Sequence, residues 1–99
     1  MRMIDKLMHQ LEEEVEGAKH YAEKYLENAA RGNNSRAVKF KEMANDELKH
    51  AGYVRDFAML DIDEVRRVYH IPDADLEKWE HFHRQMAEQM ALVRHMLAG

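Results

Sequence analysis

The chain has 99 residues, 45% hydrophobic and 34% charged, a length and balance that allow one small globular domain. One proline and four glycines argue against a β-sandwich or barrel, and the absence of cysteine excludes disulfide scaffolds and thiol catalysis. The formal charge of −4 argues against a nucleic-acid partner, and no apolar stretch is long enough for a membrane span. We therefore expect a soluble, most simply cytoplasmic protein, in which oxygen and nitrogen hold any bound metal.

Two long helices are predicted in the first part of the chain. Apolar residues at three- and four-residue steps predict an amphipathic helix over about 4–31. Gly32 suits the left-handed position that ends a helix, and the polar residues after it are candidate N-caps. A second helix is predicted over about 36–60, and the short link makes the pair an antiparallel hairpin. The apolar stripe of this second helix is Phe40, Met43, Ala44, Ala51, Val54, Phe57 and Ala58.

A third helix is predicted near the C-terminus, after a less regular segment. Residues 61–73 show the weakest periodicity, with a short helical turn expected over 64–69, and Pro72 disfavours helix just before it. The third helix is expected over about 74–97. Its apolar stripe is Trp79, Phe82, Met86, Met90, Val93 and Leu97. The predicted fold class is therefore all-α: a long helical hairpin plus a third helix, in one domain over 1–99.

Charged residues interrupt the apolar stripes of the first two helices. Glu14 falls within the first stripe, and Glu47 and His50 fall within the second. An ionised carboxylate that faces a core costs several kcal/mol unless it is paired, protonated or bound to a cation. Glu47 and His50 form a Glu-x-x-His pair, whose i, i+3 spacing puts both side chains on one helix face. Carboxylate and imidazole together suit iron, manganese or zinc, so the pattern indicates a metal site.

Other interpretations of these residues stay open. Glu14 ends a run of three glutamates that is also typical of a solvated helix face. Glu14, Glu47 and His50 could instead form a metal-free polar network that sets the register of a helical oligomerisation or adaptor module. A second Glu-x-x-His pair, Glu80 and His83, stands on the third helix, either as an exposed cluster or as part of a lopsided site within one chain.

Two segments resemble the ferritin-like superfamily, especially its rubrerythrin-type and encapsulated-ferritin half-bundles. Residues 14–21 read EVEGAKHY and residues 43–51 read MANDELKHA. In that superfamily a glutamate on the first helix is followed seven residues later by tyrosine, and the second helix carries Glu-x-x-His. The separation of 33 positions between Glu14 and Glu47 is similar to the rubrerythrin pattern. The resemblance covers roughly residues 7–60.

The resemblance implies a ligand set and an activity. Glu14, Glu47 and His50 would bind iron, with Glu47 bridging two ions, and Tyr21 would lie beside the reacting centre. The implied activity is that of a ferroxidase, which oxidises Fe(II) with oxygen or peroxide. Manganese or zinc could occupy the same ligands, and a ferritin-like protein with a purely structural metal is a further alternative. Because histidine binds metal only when neutral, we expect iron affinity to fall below about pH 6.

The resemblance also implies a partner. A complete ferritin-like bundle uses a glutamate from each of two helices and Glu-x-x-His from each of the other two. Two copies of this chain would therefore form a homodimeric four-helix bundle, or a higher homo-oligomer, with two irons between the subunits. Glu13 and Glu16 would correspond to acids that lead cations to the site. An encapsulin shell is a further partner to consider, although residues 96–99 do not resemble the tail that addresses cargo to one.

Overall fold

The computed structural model describes all 99 residues, which form three α-helices and no strand. The helices are α1 (Arg2–Ala30), α2 (Asn34–Val68) and α3 (Asp73–Ala98). α1 packs along α2 as an antiparallel hairpin, and α3 folds back to pack mainly against α1. The molecule is a rod of 55 × 18 × 17 Å. The predicted all-helical class is confirmed, and no helix has the length and apolar character of a membrane span.

The core lies along the seam between the helices, and each helix supplies a different kind of side chain. α1 contributes mainly branched aliphatic residues, while α2 contributes alanines at much of the seam and α3 contributes large side chains. The small α2 side chains let the two helices of the hairpin approach closely. The α3 stripe predicted from the sequence is buried except for Met86, which is half-buried. The buried cluster is Ile4, Leu7, Leu11, Val15, Ala18, Ala22, Ala44, Leu48, Ala51, Ala58, Ile62, Ile71, Trp79, Phe82, Met90, Val93 and Leu97.

The turn between α1 and α2 has the chemistry that the sequence predicts. Gly32 adopts a φ of +75°, in the left-handed region. Its backbone N–H donates to the carbonyl of Ala29 at 3.1 Å, and that of Asn33 donates to the carbonyl of Asn28 at 2.9 Å. This is the Schellman arrangement, which satisfies carbonyls at the end of a helix. The Asn33 side chain then caps α2 by accepting a bond from the backbone N–H of Arg36 at 3.4 Å.

The predicted end of the second helix was wrong. The sequence places that end at about Leu60, followed by an irregular segment with one short turn, whereas α2 continues without interruption to Val68. Ile62 is buried and Val65 packs partly against the core, so the apolar stripe extends into this segment. No glycine or proline interrupts it before Pro72. Tertiary contacts along the stripe therefore support helix where the local periodicity is weak.

The predicted α2 stripe is only partly buried. Ala44, Ala51 and Ala58 lie in the core as expected. Met43 and Phe57, predicted on the same stripe, remain 40% and 65% exposed. Their side of α2 has no neighbouring helix within the chain, because α3 packs mainly against α1. The apolar side chains of Met43 and Phe57 are therefore left uncovered on this side of α2.

We expect Gly32→Ala to destabilise the fold by about 1–2 kcal/mol, because an L side chain at positive φ is strained. The matched control is Gly52→Ala, since Gly52 lies inside α2 and a Cβ there would meet no atom within 4 Å. The control should instead gain up to about 1 kcal/mol from the better helix propensity of alanine. Urea unfolding monitored by circular dichroism measures both changes, and an unchanged midpoint for Gly32→Ala would contradict the strain argument.

Candidate metal centre

Three predicted ligands come together across the seam of the hairpin. Glu14 projects from α1, and Glu47 and His50 project from adjacent turns of α2. His50 Nδ1 lies 3.8 Å from Glu14 Oε2 and 4.0 Å from Glu47 Oε1. One ligand atom from each of the three residues falls within 4.8 Å of the others. We call this group the Glu–Glu–His cluster.

The cluster lies at the edge of the seam and not in the core. The side chains of Glu14, Glu47 and His50 are 31%, 26% and 55% exposed, so the expectation that they face inward holds only in part. The groove between α1 and α3 is lined by Glu12 and Glu16. Each is two positions from Glu14 and therefore points to a different side of α1. α3 consequently leaves the cluster side of the hairpin open.

The two carboxyl groups of the cluster compete for ionisation. The pKa of Glu47 is raised from 4.5 to about 7, first because its carboxyl shares a hydrogen bond with the Glu14 carboxyl. Partial desolvation and repulsion from the Glu14 charge raise it further, while the nearby His50 lowers it. Without a cation, therefore, the Glu47 carboxyl keeps its proton up to nearly neutral pH.

The three side chains of the cluster lie close enough together to approach one divalent metal ion. Two ligand atoms that each lie about 2.1 Å from one ion are about 3.0 to 4.2 Å apart, depending on the angle between them. The 3.8 and 4.0 Å separations lie in the upper part of this range, above the roughly 3.4 Å of two tetrahedral ligands, so the side chains would move slightly closer together to bind one ion. Two oxygens and one nitrogen form a donor set that iron, manganese and zinc all accept. A bound cation would replace the shared proton and would leave coordination positions that this chain does not fill.

Gly17 also belongs to this site, although no role for it is expected from the sequence. It lies one turn after Glu14 on α1, and the Glu47 side chain passes directly over it. The sequence does contain a signal that could have identified Gly17, because it is a glycine inside a long predicted helix, three residues after a candidate ligand. Helix interiors disfavour glycine, so such a residue indicates a packing or functional reason.

Tyr21 lies further along α1 than Glu14 and contacts the other helix of the hairpin. It lies seven residues after Glu14, about 10 Å along the helix axis. Its half-buried ring packs in a stacked arrangement against Phe40 of α2, with the ring centroids 6.4 Å apart. This contact helps to hold the two helices together beyond the cluster. The role beside the reacting centre that the resemblance implies for Tyr21 stays a prediction.

Glu13 and Glu16, the two acids to which the resemblance gives a cation-guiding role, face different directions. Glu13 pairs with His9 at 2.9 Å, with both side chains well exposed. Glu16 lines the groove between α1 and α3. Neither side chain belongs to the cluster, and the cation-guiding role that the resemblance implies for them stays a prediction.

Glu80 and His83 of α3 are also separate from the cluster. The imidazole of His83 stacks on the indole of Trp79, with centroids 5.7 Å apart and the planes 3° from parallel. Glu80 is exposed near the C-terminal part of α2. The structure therefore does not bring this Glu-x-x-His pair to Glu14 within one chain.

No family model, curated protein or solved structure matches this chain. The case for a metal site therefore depends on the geometry and chemistry of the cluster itself.

We expect the metal-free protein to lose about 2 kcal/mol of stability between pH 5 and pH 8 through Glu47. The folded-state pKa of about 7 lies above the ordinary value of 4.5, so the folded chain holds this proton more tightly than the unfolded chain. The resulting stabilisation is complete below pH 4.5 and is lost as the pH rises through about 7.

Urea titrations with chelator at both pH values measure this loss, and Glu47→Gln provides the reference. The variant keeps every other titrating group, including all seven histidines. The difference between wild type and variant therefore isolates Glu47. A difference that stays the same at pH 5 and pH 8 would contradict the shared proton.

Proposed function

We propose that this protein is a di-iron carboxylate protein of ferroxidase type, which binds Fe(II) at the Glu–Glu–His cluster and promotes its oxidation. The observation that carries the proposal is the convergence of two carboxylates and one imidazole from facing helices within 4.8 Å. Their position on an open edge supports access by ions from solvent. The resemblance of residues 14–21 and 43–51 to ferritin-like half-bundles supports the same activity.

Each residue of the cluster would have a distinct task. Glu47 would bridge two ions, as the resemblance implies, since its carboxylate has two oxygens that can each bind one ion. Glu14 would supply a terminal carboxylate, and the neutral His50 would supply nitrogen. The carboxylates would offset the positive charge of the ions, which favours Fe(III) over Fe(II). In the reaction two Fe(II) ions would each give up one electron, and the two electrons with two protons from solvent would reduce oxygen to hydrogen peroxide, or hydrogen peroxide to water.

A second copy of the chain is proposed to complete the site. One chain provides only two carboxylates and one imidazole. Two chains together provide four carboxylates and two imidazoles. Met43, Val54 and Phe57 share the cluster side of α2, since each lies four or seven residues from Glu47 or His50. Met43 and Phe57 are exposed and Val54 is half-buried. If these apolar side chains packed against the same side chains of a second copy, the two α1–α2 hairpins would form a four-helix bundle. The two α3 helices would then lie outside it.

Iron oxidation is the direct test of the site. Aerobic addition of Fe(II) to metal-free protein should increase near-ultraviolet ferric absorbance faster than buffer alone. Glu47→Gln, which preserves shape but removes the charge, should reduce the initial rate by about tenfold or more. Glu42→Gln is the control, because Glu42 is exposed on the same helix and outside the cluster. Equal rates in the wild type, Glu47→Gln and buffer would refute the proposed activity.

Oligomeric state tests the proposed partner. We expect a dimer with two irons in native mass measurements, and we expect Phe57→Ser to weaken association by about tenfold or more. Phe57 contributes little to the core of one chain because it is 65% exposed, so the variant should remain helical. Leu92→Ser is the matched control, since Leu92 is 57% exposed on α3. A wild-type protein that stays monomeric when it binds iron would contradict the shared site.

The raised pKa of Glu47 favours a second candidate function, that of a metal-free oligomerisation module. A shared proton can balance the Glu14–Glu47 pair without any ion, so the cluster could serve as a polar contact that fixes the register of a dimer. In that case chelator would leave the dimer mass unchanged, and metal ions would not shift the melting temperature. A structural metal site would instead show the shift in melting temperature without ferric absorbance.

A further inference from the structure

Gly17 lies where a side chain would collide with the Glu47 carboxyl group. A Cβ placed on Gly17 would be 3.2 Å from Glu47 Oε2, 3.5 Å from Cδ and 3.7 Å from Cγ. The first distance is shorter than an ordinary van der Waals contact, which begins at about 3.4 Å. The Glu47 side chain therefore rests on the bare backbone of α1 at this point.

The α1 backbone gives no other reason for glycine at this position. Gly17 lies in the middle of α1, and the only glycine with positive φ is Gly32. In a helix interior, alanine is more stable than glycine, because glycine has more backbone freedom to lose on folding. Local helix formation would thus favour alanine at position 17. The close approach of the Glu47 side chain is the feature of the structure that favours glycine over a larger residue at this position.

We propose that Gly17 is a positioning residue that seats the Glu47 carboxylate against α1, beside Glu14, so that ligands from the two helices converge on one metal ion. This inference rests on the metal site proposed above. A methyl group at position 17 would displace Oε2 by a few tenths of an ångström or rotate the carboxyl group away. Metal–ligand distances must lie within about 0.2 Å of their preferred values, so a displacement of this size would weaken metal binding.

The two interior glycines permit a matched experiment. Gly17→Ala adds a methyl group under Glu47, whereas Gly52→Ala adds one where no atom lies within 4 Å. Both substitutions improve helix propensity, so both metal-free variants should melt at or slightly above the wild-type temperature. A purely structural role for Gly17 would instead lower the melting temperature of Gly17→Ala alone.

Mn(II) binding measured by electron paramagnetic resonance distinguishes the variants, because Mn(II) is stable in air and suits the same ligands. We expect the affinity of Gly17→Ala to fall by about tenfold and that of Gly52→Ala to stay within about twofold of wild type. Wild-type affinity in Gly17→Ala would overturn the positioning role while leaving the metal site intact. Absence of Mn(II) binding in the wild type itself would overturn both the metal site and this inference.

Discussion

Two glutamate carboxyl groups, one on each helix of the hairpin, lie so close together that ionising both of them costs free energy. The Glu14 and Glu47 side chains meet across the hairpin seam, and their mutual hydrogen bond raises the pKa of Glu47 to about 7. Only a proton or a cation relieves the repulsion in such a partly desolvated place. The proposed function depends on this constraint, because a metal ion that replaces the proton is bound by groups already held together.

The packing of α3 decides whether this pair is accessible. α3 packs mainly against α1, where its aromatic and aliphatic side chains bury the side of the hairpin opposite the cluster. Had α3 covered the other edge of the seam, Glu14 and Glu47 would be deeply buried and closed to ions. Instead the edge stays open, and His50 is 55% exposed in a single chain. The third helix therefore stabilises the hairpin without closing the candidate site.

The open edge combines polar ligands with apolar surroundings, a mixture that suits a subunit interface better than contact with water. Met43 and Phe57 expose large apolar side chains next to the cluster. In the proposed dimer these side chains would exclude water from the ions and strengthen their attraction to the carboxylates. The same contact would therefore contribute both to association and to metal binding.

The amino-acid sequence by itself determined the three helices, the glycine turn and the identity of the three clustered residues, because each depends on local periodicity, spacing or backbone freedom. The continuation of α2 to Val68, the exposure of Phe57 and the proximity of Gly17 to Glu47 were decided by the tertiary structure. These features depend on which helix faces are covered and how closely two backbones approach. The side chains of a neighbouring helix decide both the covered faces and the distance between backbones. Periodicity along one helix therefore carries no information about either.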